Sequence, residues 1–336
     1  MTTLLNRLVP SVLVLGVLVS ASAAVVAEEA KPIRVGIIGL DTSHVIAFTK
    51  IMNDAKAEGD LADVRIVAAF PGGSPDIPAS WDRVEKFTEQ LREQGVEICD
   101  SIPAMLEKVD AVLLESLDGR PHLEQAKPVI AAGKPLFIDK PLGGTLADCV
   151  EIFRLAKQKG VPCFSSSSLR FSEAFLQARA GEFGKIQACT AWSPMSIEPH
   201  HPDLFWYGIH GVEILFTVMG PGCKEVVREA ENRVVGTWAD GRKGVFVGGE
   251  KLHGQSYGAD IEAEKKSGYI GTYDGYVGLV REIAAFLKTG QPPVAMEETL
   301  EIYAFMEAAD ESKRHEGKPV ALEAVMKAAR AATAQE

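Results

Sequence analysis

The sequence predicts an α/β protein, with an N-terminal Rossmann-like, doubly wound parallel sheet followed by an α+β domain whose sheet is mainly antiparallel and open. Two observations carry the prediction. From Ile33 to Ser165 short, nearly continuous apolar runs alternate with helical stretches, as when parallel strands are covered on both faces. Beyond about Ser165 the runs become extended, glycine-rich and partly polar, the signature of a second sheet with mainly antiparallel pairing.

The first-domain strands are expected at Ile33–Gly39, Val64–Phe70, Val96–Cys99, Ala111–Glu115, Pro135–Asp139 and Val161–Ser165. Helices are expected between them at Ser43–Asp54, Trp81–Glu93, Pro121–Ala132 and Leu146–Lys159. Lys185–Ser193, Glu225–Val235 and Lys243–Val247 read as strands of the second sheet, and two amphipathic helices, Tyr276–Lys288 and Glu297–Lys313, close the chain. The expected domains are 31–145 and 146–336. Residues 1–27, with Arg7 as lone charge, an apolar run from Leu8 to Val19 and small residues through Ala27, read as an export signal; Leu8–Val19 is too short to span a bilayer. The expected location is periplasmic or otherwise extracytoplasmic, with no membrane attachment after cleavage, which could follow Ala23 or Ala27.

Composition narrows the partners. With 46 Asp+Glu against 35 Lys+Arg in 336 residues, the formal charge of −11 offers no basic stripe for nucleic acid. A small-molecule ligand fits better, and the open second sheet points to a homo-oligomer. The cysteines at 99, 149, 163, 189 and 223 have no C-x-x-C spacing and read as buried small hydrophobes.

Ligands of open parallel sheets bind outside the carboxyl ends of the strands. At the first such end, Gly39-Leu40-Asp41-Thr42-Ser43-His44 stands where a dinucleotide loop has G-x-G-x-x-G. Only its first glycine is present. The second normally lets bare backbone approach pyrophosphate and the third lets helix and strand pack closely; an ionised Asp41 repels phosphate unless it turns away or pairs. Asp41, Thr42 and Ser43 are also ordinary helix-capping types. At the second strand end, Phe70-Pro71-Gly72-Gly73-Ser74 has no carboxylate in register for an adenosine ribose. The loop Glu115-Ser116-Leu117-Asp118-Gly119-Arg120 adds two carboxylates, so Asp41, Ser43, His44, Glu115 and Asp118 can equally form a polar pocket for another ligand.

The segment Pro135-Leu136-Phe137-Ile138-Asp139-Lys140-Pro141-Leu142 resembles the E-K-P segment of the glucose–fructose oxidoreductase, inositol dehydrogenase and MocA family (Gfo/Idh/MocA). Pro121-His122-Leu123-Glu124-Gln125-Ala126, Leu169-Arg170-Phe171 and the tail from Phe286 to Lys313 extend the resemblance over nearly the whole chain. It implies an NAD(P)-dependent oxidoreductase acting on a sugar, polyol or related carbohydrate, with NAD or NADP as cofactor. Lys140 takes the role of the lysine that touches the substrate hydroxyl and the nicotinamide ribose, with Asp139 a shorter substitute for the family's Glu. An ammonium there stabilises an alkoxide.

The family's D-x-x-x-H helix corresponds to Trp206-Tyr207-Gly208-Ile209-His210, with the aspartate replaced by Trp206. His210 is the candidate base, oriented by Glu213 or Asp203, and Trp206 offers a flat face for a sugar ring. Gly39 to His44, Ser116, His122 and Asp139 are the candidate cofactor-side residues, and Arg170, Trp206, Asp203 and Glu213 the candidate substrate-side residues. His200, His201, Asp203, His210 and Glu213 match no fixed metal spacing, and no metal site is expected. The alternative reading is an exported, non-redox carbohydrate-binding or lyase protein that kept the fold and lost the dinucleotide.

Overall fold

The structure, a computed structural model, describes residues 31–271 and 273–333; the expected export signal lies outside the described residues. The first domain runs β1 (Ile33–Ile38), α1 (Ser43–Met52), β2 (Val64–Phe70), α2 (Pro78–Glu93), β3 (Glu97–Ile98), α3 (Ile102–Leu106), β4 (Ala111–Leu114), α4 (His122–Ala131), β5 (Leu136–Ile138), α5 (Leu146–Lys159) and β6 (Cys163–Ser165). All six strands are parallel, in the order β3-β2-β1-β4-β5-β6. This is the doubly wound order of dinucleotide folds, with the switch point between β1 and β4.

The apolar runs form strands because both faces are covered: β4 and β5 are buried at every position. The helices start and stop on chemical signals. Thr42 caps α1 through the His44 amide, Thr145 caps α5 through the Asp148 amide, and Gly160 ends α5 in the left-handed region at φ 69°. Helix α2 starts earlier than expected because Pro78 sits in its first turn, where the missing N–H costs nothing. The sheet also extends past the expected boundary at 145: α5 and β6 belong to the first domain.

The second domain contains α6 (Glu173–Arg179), β7 (Ile186–Ser193), α7 (Ile209–Met219), β8 (Cys223–Ala230), β9 (Arg233–Trp238), β10 (Lys243–Gly248), β11 (Gly258–Ala263), β12 (Gly268–Ile270), α8 (Val277–Thr289), α9 (Met296–Arg314), β13 (Val320–Ala321) and α10 (Leu322–Thr333). Its sheet order is β12-β11-β7-β10-β9-β8-β13, antiparallel except for β7 with β10.

Two expectations are corrected here. Glu225–Val235 is a hairpin, β8 and β9 turning at Glu231-Asn232, because polar turn residues interrupt what reads as one run. A third helix, α10, follows the two expected at the end of the chain; its buried Leu322, Val325 and Ala329 fall on one helical face.

Helix α7 is buried along its whole length between the second sheet and α9. Helix α8 turns back to the first domain, where Leu279, Val280, Ile283, Ala284, Phe286 and Leu287 join the core of β1, β2 and α1. All five cysteines are buried and unpaired. Among the described residues no helix is long and apolar enough to cross a membrane.

Candidate active site

The site lies along the carboxyl edge of the first sheet, facing the start of α7. Gly39, at φ 87°, begins the β1–α1 turn; a Cβ there would come within 2.5 Å of the Ser116 backbone, so only glycine lets the two loops pack. Leu40 is fully buried core. Asp41 is also fully buried and points across the crevice: its carboxylate accepts from the Leu117 amide at 3.0 Å and from the Ser80 hydroxyl at 2.6 Å. Burial pushes the Asp41 carboxyl up, against the pull of Ser80 and Leu117.

Asp118 braces the neighbouring loops. It accepts from the Ser74 hydroxyl at 2.6 Å and from Arg120, and the His201 imidazole lies 3.1 Å from it. Although burial raises Asp118, these contacts hold it well below the usual carboxylate range. Trp206 is buried against Ile77 and Leu117, 5.1 Å from the His201 ring. Of the remaining cofactor-side candidates, Thr42 is occupied as a helix cap and Ser43 is exposed. His122 is fully buried, reaching the carbonyls of Ser116 at 2.9 Å and Leu142 at 3.3 Å. It is therefore a strut between two loops, while the Ser116 hydroxyl donates to Gln125. Burial lowers the His122 pKa.

The other end of the crevice gathers reactive groups. Asp139 directly follows β5, and its carboxylate lies 2.6 Å from Nδ1 of His44. Burial alone would raise Asp139, but His44 and Lys140 hold it below the usual range. Glu115, directly after β4, is fully buried, and neither of its oxygens has a hydrogen-bond partner; burial, then Asp139, push its carboxyl far up. Lys140 follows Asp139 and precedes Pro141 across a cis bond. Burial lowers its ammonium pKa against the attraction of Asp139 and Glu115.

Lys140 and His210 stand against the same ring: Nζ lies 5.4 Å and the imidazole centre 5.6 Å from the centre of Tyr207. That keeps them inside the about 12 Å that one sugar bridges in a pocket of ordinary size. An arc of rings then runs from His210 through Tyr257, Tyr273 and Tyr276 to His44, with centres 4.7 to 6.0 Å apart. These tyrosines were not legible as site residues, because they lie near the second sheet's edge and before α8, in no spaced motif.

His210, in the first turn of α7, is held by Ser167: Nδ1 and the hydroxyl are 2.7 Å apart. Its pKa lies well below 6.5, from burial first and then from Lys140. Glu213 and Asp203 were the expected orienting groups, and neither touches the imidazole. Glu213 accepts from the Ser167 amide and pairs at 2.7 Å with Arg170, which also reaches Glu298 at 2.7 Å. Glu213 and Arg170 are therefore a buried ion pair behind the site, with Arg170 only 2% exposed. Asp203 pairs with Arg228 and Lys313, under the second sheet. Ser167 carries no sequence signal beyond its place in a serine run after β6.

The fold and site define a two-domain α/β protein of the dinucleotide-fold class, with a lysine and a histidine converging on one crevice. Residues 33–167 match the Gfo/Idh/MocA family model, described as an oxidoreductase family with an NAD-binding Rossmann fold. Over 134 residues it is 32% identical to dTDP-3,4-didehydro-2,6-dideoxy-alpha-D-glucose 3-reductase of Actinomadura kijaniata, a match covering 39% of this chain and 35% of that one. The chain thus spans about a third of the length of this curated relative. A probable dehydrogenase from Thermotoga maritima shares the fold at TM-score 0.68 and 21% identity, covering 87% of this chain and 99% of that one. So does scyllo-inositol dehydrogenase from Lactobacillus casei, solved with NAD(H) and scyllo-inositol, at TM-score 0.66 and 18% identity, covering 87% and 100%.

The family's cofactor fits one end of the crevice. Lys140 and the unpartnered oxygens of Glu115 and Asp139 suit the hydroxyls of a nicotinamide ribose. The pyrophosphate end does not fit with Asp41 in this position, since its buried carboxylate takes the Leu117 amide and bridges the loops that a pyrophosphate must part.

Proposed function

We propose that the chain is an exported oxidoreductase of a sugar, polyol or related carbohydrate, with its reacting hydroxyl held between Lys140 and His210. The observation that supports this reading is the shared contact of both groups with Tyr207. In the tautomer whose Nδ1–H donates to Ser167, Nε2 of His210 is the acceptor for the substrate's hydroxyl proton, and burial, then Lys140, favours the neutral imidazole that this role needs. Lys140 steadies the oxyanion that forms, in a buried setting that strengthens its field. The tyrosine arc offers flat faces to the C–H sides of a sugar. A nicotinamide cofactor, when bound, supplies the hydride exchange. Residues 1–27, read as an export signal, support an activity outside the cytoplasm, and the open second sheet, with Tyr269 exposed on its edge strand, serves a homo-oligomer.

A second reading is favoured by Asp41: a non-redox carbohydrate-binding or lyase protein that uses the same pocket without a dinucleotide. Calorimetric titration of the mature chain with NAD and NADP separates the two. Binding at or below millimolar, with turnover of a sugar or polyol that falls about a hundredfold or more in Lys140→Ala, supports the oxidoreductase. Sugar binding without any dinucleotide binding refutes it.

A further inference from the structure

Three neighbouring strands deliver three potential ligands to one spot. β1 leads into α1, whose first turn carries His44; Glu115 directly follows β4 and Asp139 directly follows β5. Because β1, β4 and β5 are adjacent in the sheet, these side chains meet: one ligand atom from each lies within 4.8 Å of the others. Nδ1 of His44 and a carboxylate oxygen of Asp139 are already 2.6 Å apart. At metal–ligand distances of about 2.1 Å, adjacent ligands sit about 3 Å apart, so these two are close to neighbouring corners of a coordination sphere and Glu115 needs only a small side-chain rotation to join them.

The independent observation is the state of the carboxylates. Both Glu115 oxygens and Oδ1 of Asp139 are buried without any hydrogen-bond partner, in residues only 0% and 3% exposed. Protein interiors do not leave such acceptors unmet without a reason.

We propose that His44, Glu115 and Asp139 bind one divalent transition-metal ion, Mn2+ or Zn2+. One imidazole and two carboxylates suit such ions and leave open positions for oxygens of a sugar. The ion would face the same crevice as Lys140 and His210, and the proposal stands whether or not a dinucleotide binds there.

The test uses the whole mature chain, stripped with chelator and titrated with Mn2+ alone by calorimetry and by electron paramagnetic resonance. We expect one ion per chain, and Glu115→Gln to weaken binding by at least about tenfold, while His210→Asn leaves it unchanged. Crystals grown with Mn2+ give a measurement that does not depend on how the variant folds: the anomalous peak falls about 2.1 Å from a His44 nitrogen. No binding up to millimolar Mn2+, a peak elsewhere, or a Glu115→Gln protein that folds and binds as well as the wild type overturns the proposal; in those cases the bare carboxylates serve sugar or ribose hydroxyls instead.

Discussion

Asp41→Gly removes a side chain that spans the crevice at the pyrophosphate end. Two buried hydrogen bonds go with it, from the Leu117 amide and the Ser80 hydroxyl. Each donor left unpaired costs about 1–3 kcal/mol, with a further about 0.5–1 kcal/mol for a more flexible backbone, so urea unfolding is expected to show a loss of about 2.5–7 kcal/mol. The same change takes a carboxylate out of the path of a doubly charged pyrophosphate. At an effective dielectric near 20, unit charges about 4 Å apart repel by about 4 kcal/mol. Affinity for NAD or NADP, measured by calorimetry, should therefore rise at least about tenfold, or about 1.4 kcal/mol. A variant that is destabilised as expected, yet binds neither dinucleotide better than the wild type does, refutes the idea that Asp41 is what obstructs this end of the crevice.

Two further outcomes follow from the groups behind the site. Ser167→Ala frees the imidazole of His210, so kcat should fall about 10- to 100-fold with little change in KM. In the wild type kcat/KM should hold level down through pH 6.5, because the folded pKa of His210 lies well below that value, and the acid limb should move in the variant. A purely structural serine would change stability and leave the pH profile alone. Arg170→Met leaves Glu213 and Glu298 buried without their shared partner, and unfolding free energy should drop by about 3–5 kcal/mol; a loss under about 1 kcal/mol would mean that the carboxylates find other partners.

Much of the fold was legible because its signals are local. Apolar runs bounded by Thr42, Thr145 and Gly160 mark strands and helices whose ends depend on their own residues. The hairpin at Glu231-Asn232 was not, because its two strands share one extended composition, and α10 escaped because its apolar face is narrow. In the site, Lys140 and His210 were found by motif, but their partners are set by tertiary contact. Ser167 reaches His210 from the end of β6, and Arg170 takes Glu213 away from the imidazole. Asp203, two to three turns of chain from His210, is claimed instead by Arg228 and Lys313. Proximity in sequence predicted those pairings poorly, because charged groups compete for partners across the whole interior.

The return of α8 to the first sheet has a consequence for how the chain matures. Phe137 and Phe164 meet at a tilt with ring centres 5.0 Å apart, and the ring that seals them is Phe286, 4.8 Å from Phe164. The N-terminal half therefore emerges from the ribosome with an apolar flank uncovered, and waits for a helix made much later to close it. A fragment stopped after residue 167 would be sticky and unfinished, and a chimera exchanging halves between relatives would need to carry α8 along with the half it seals.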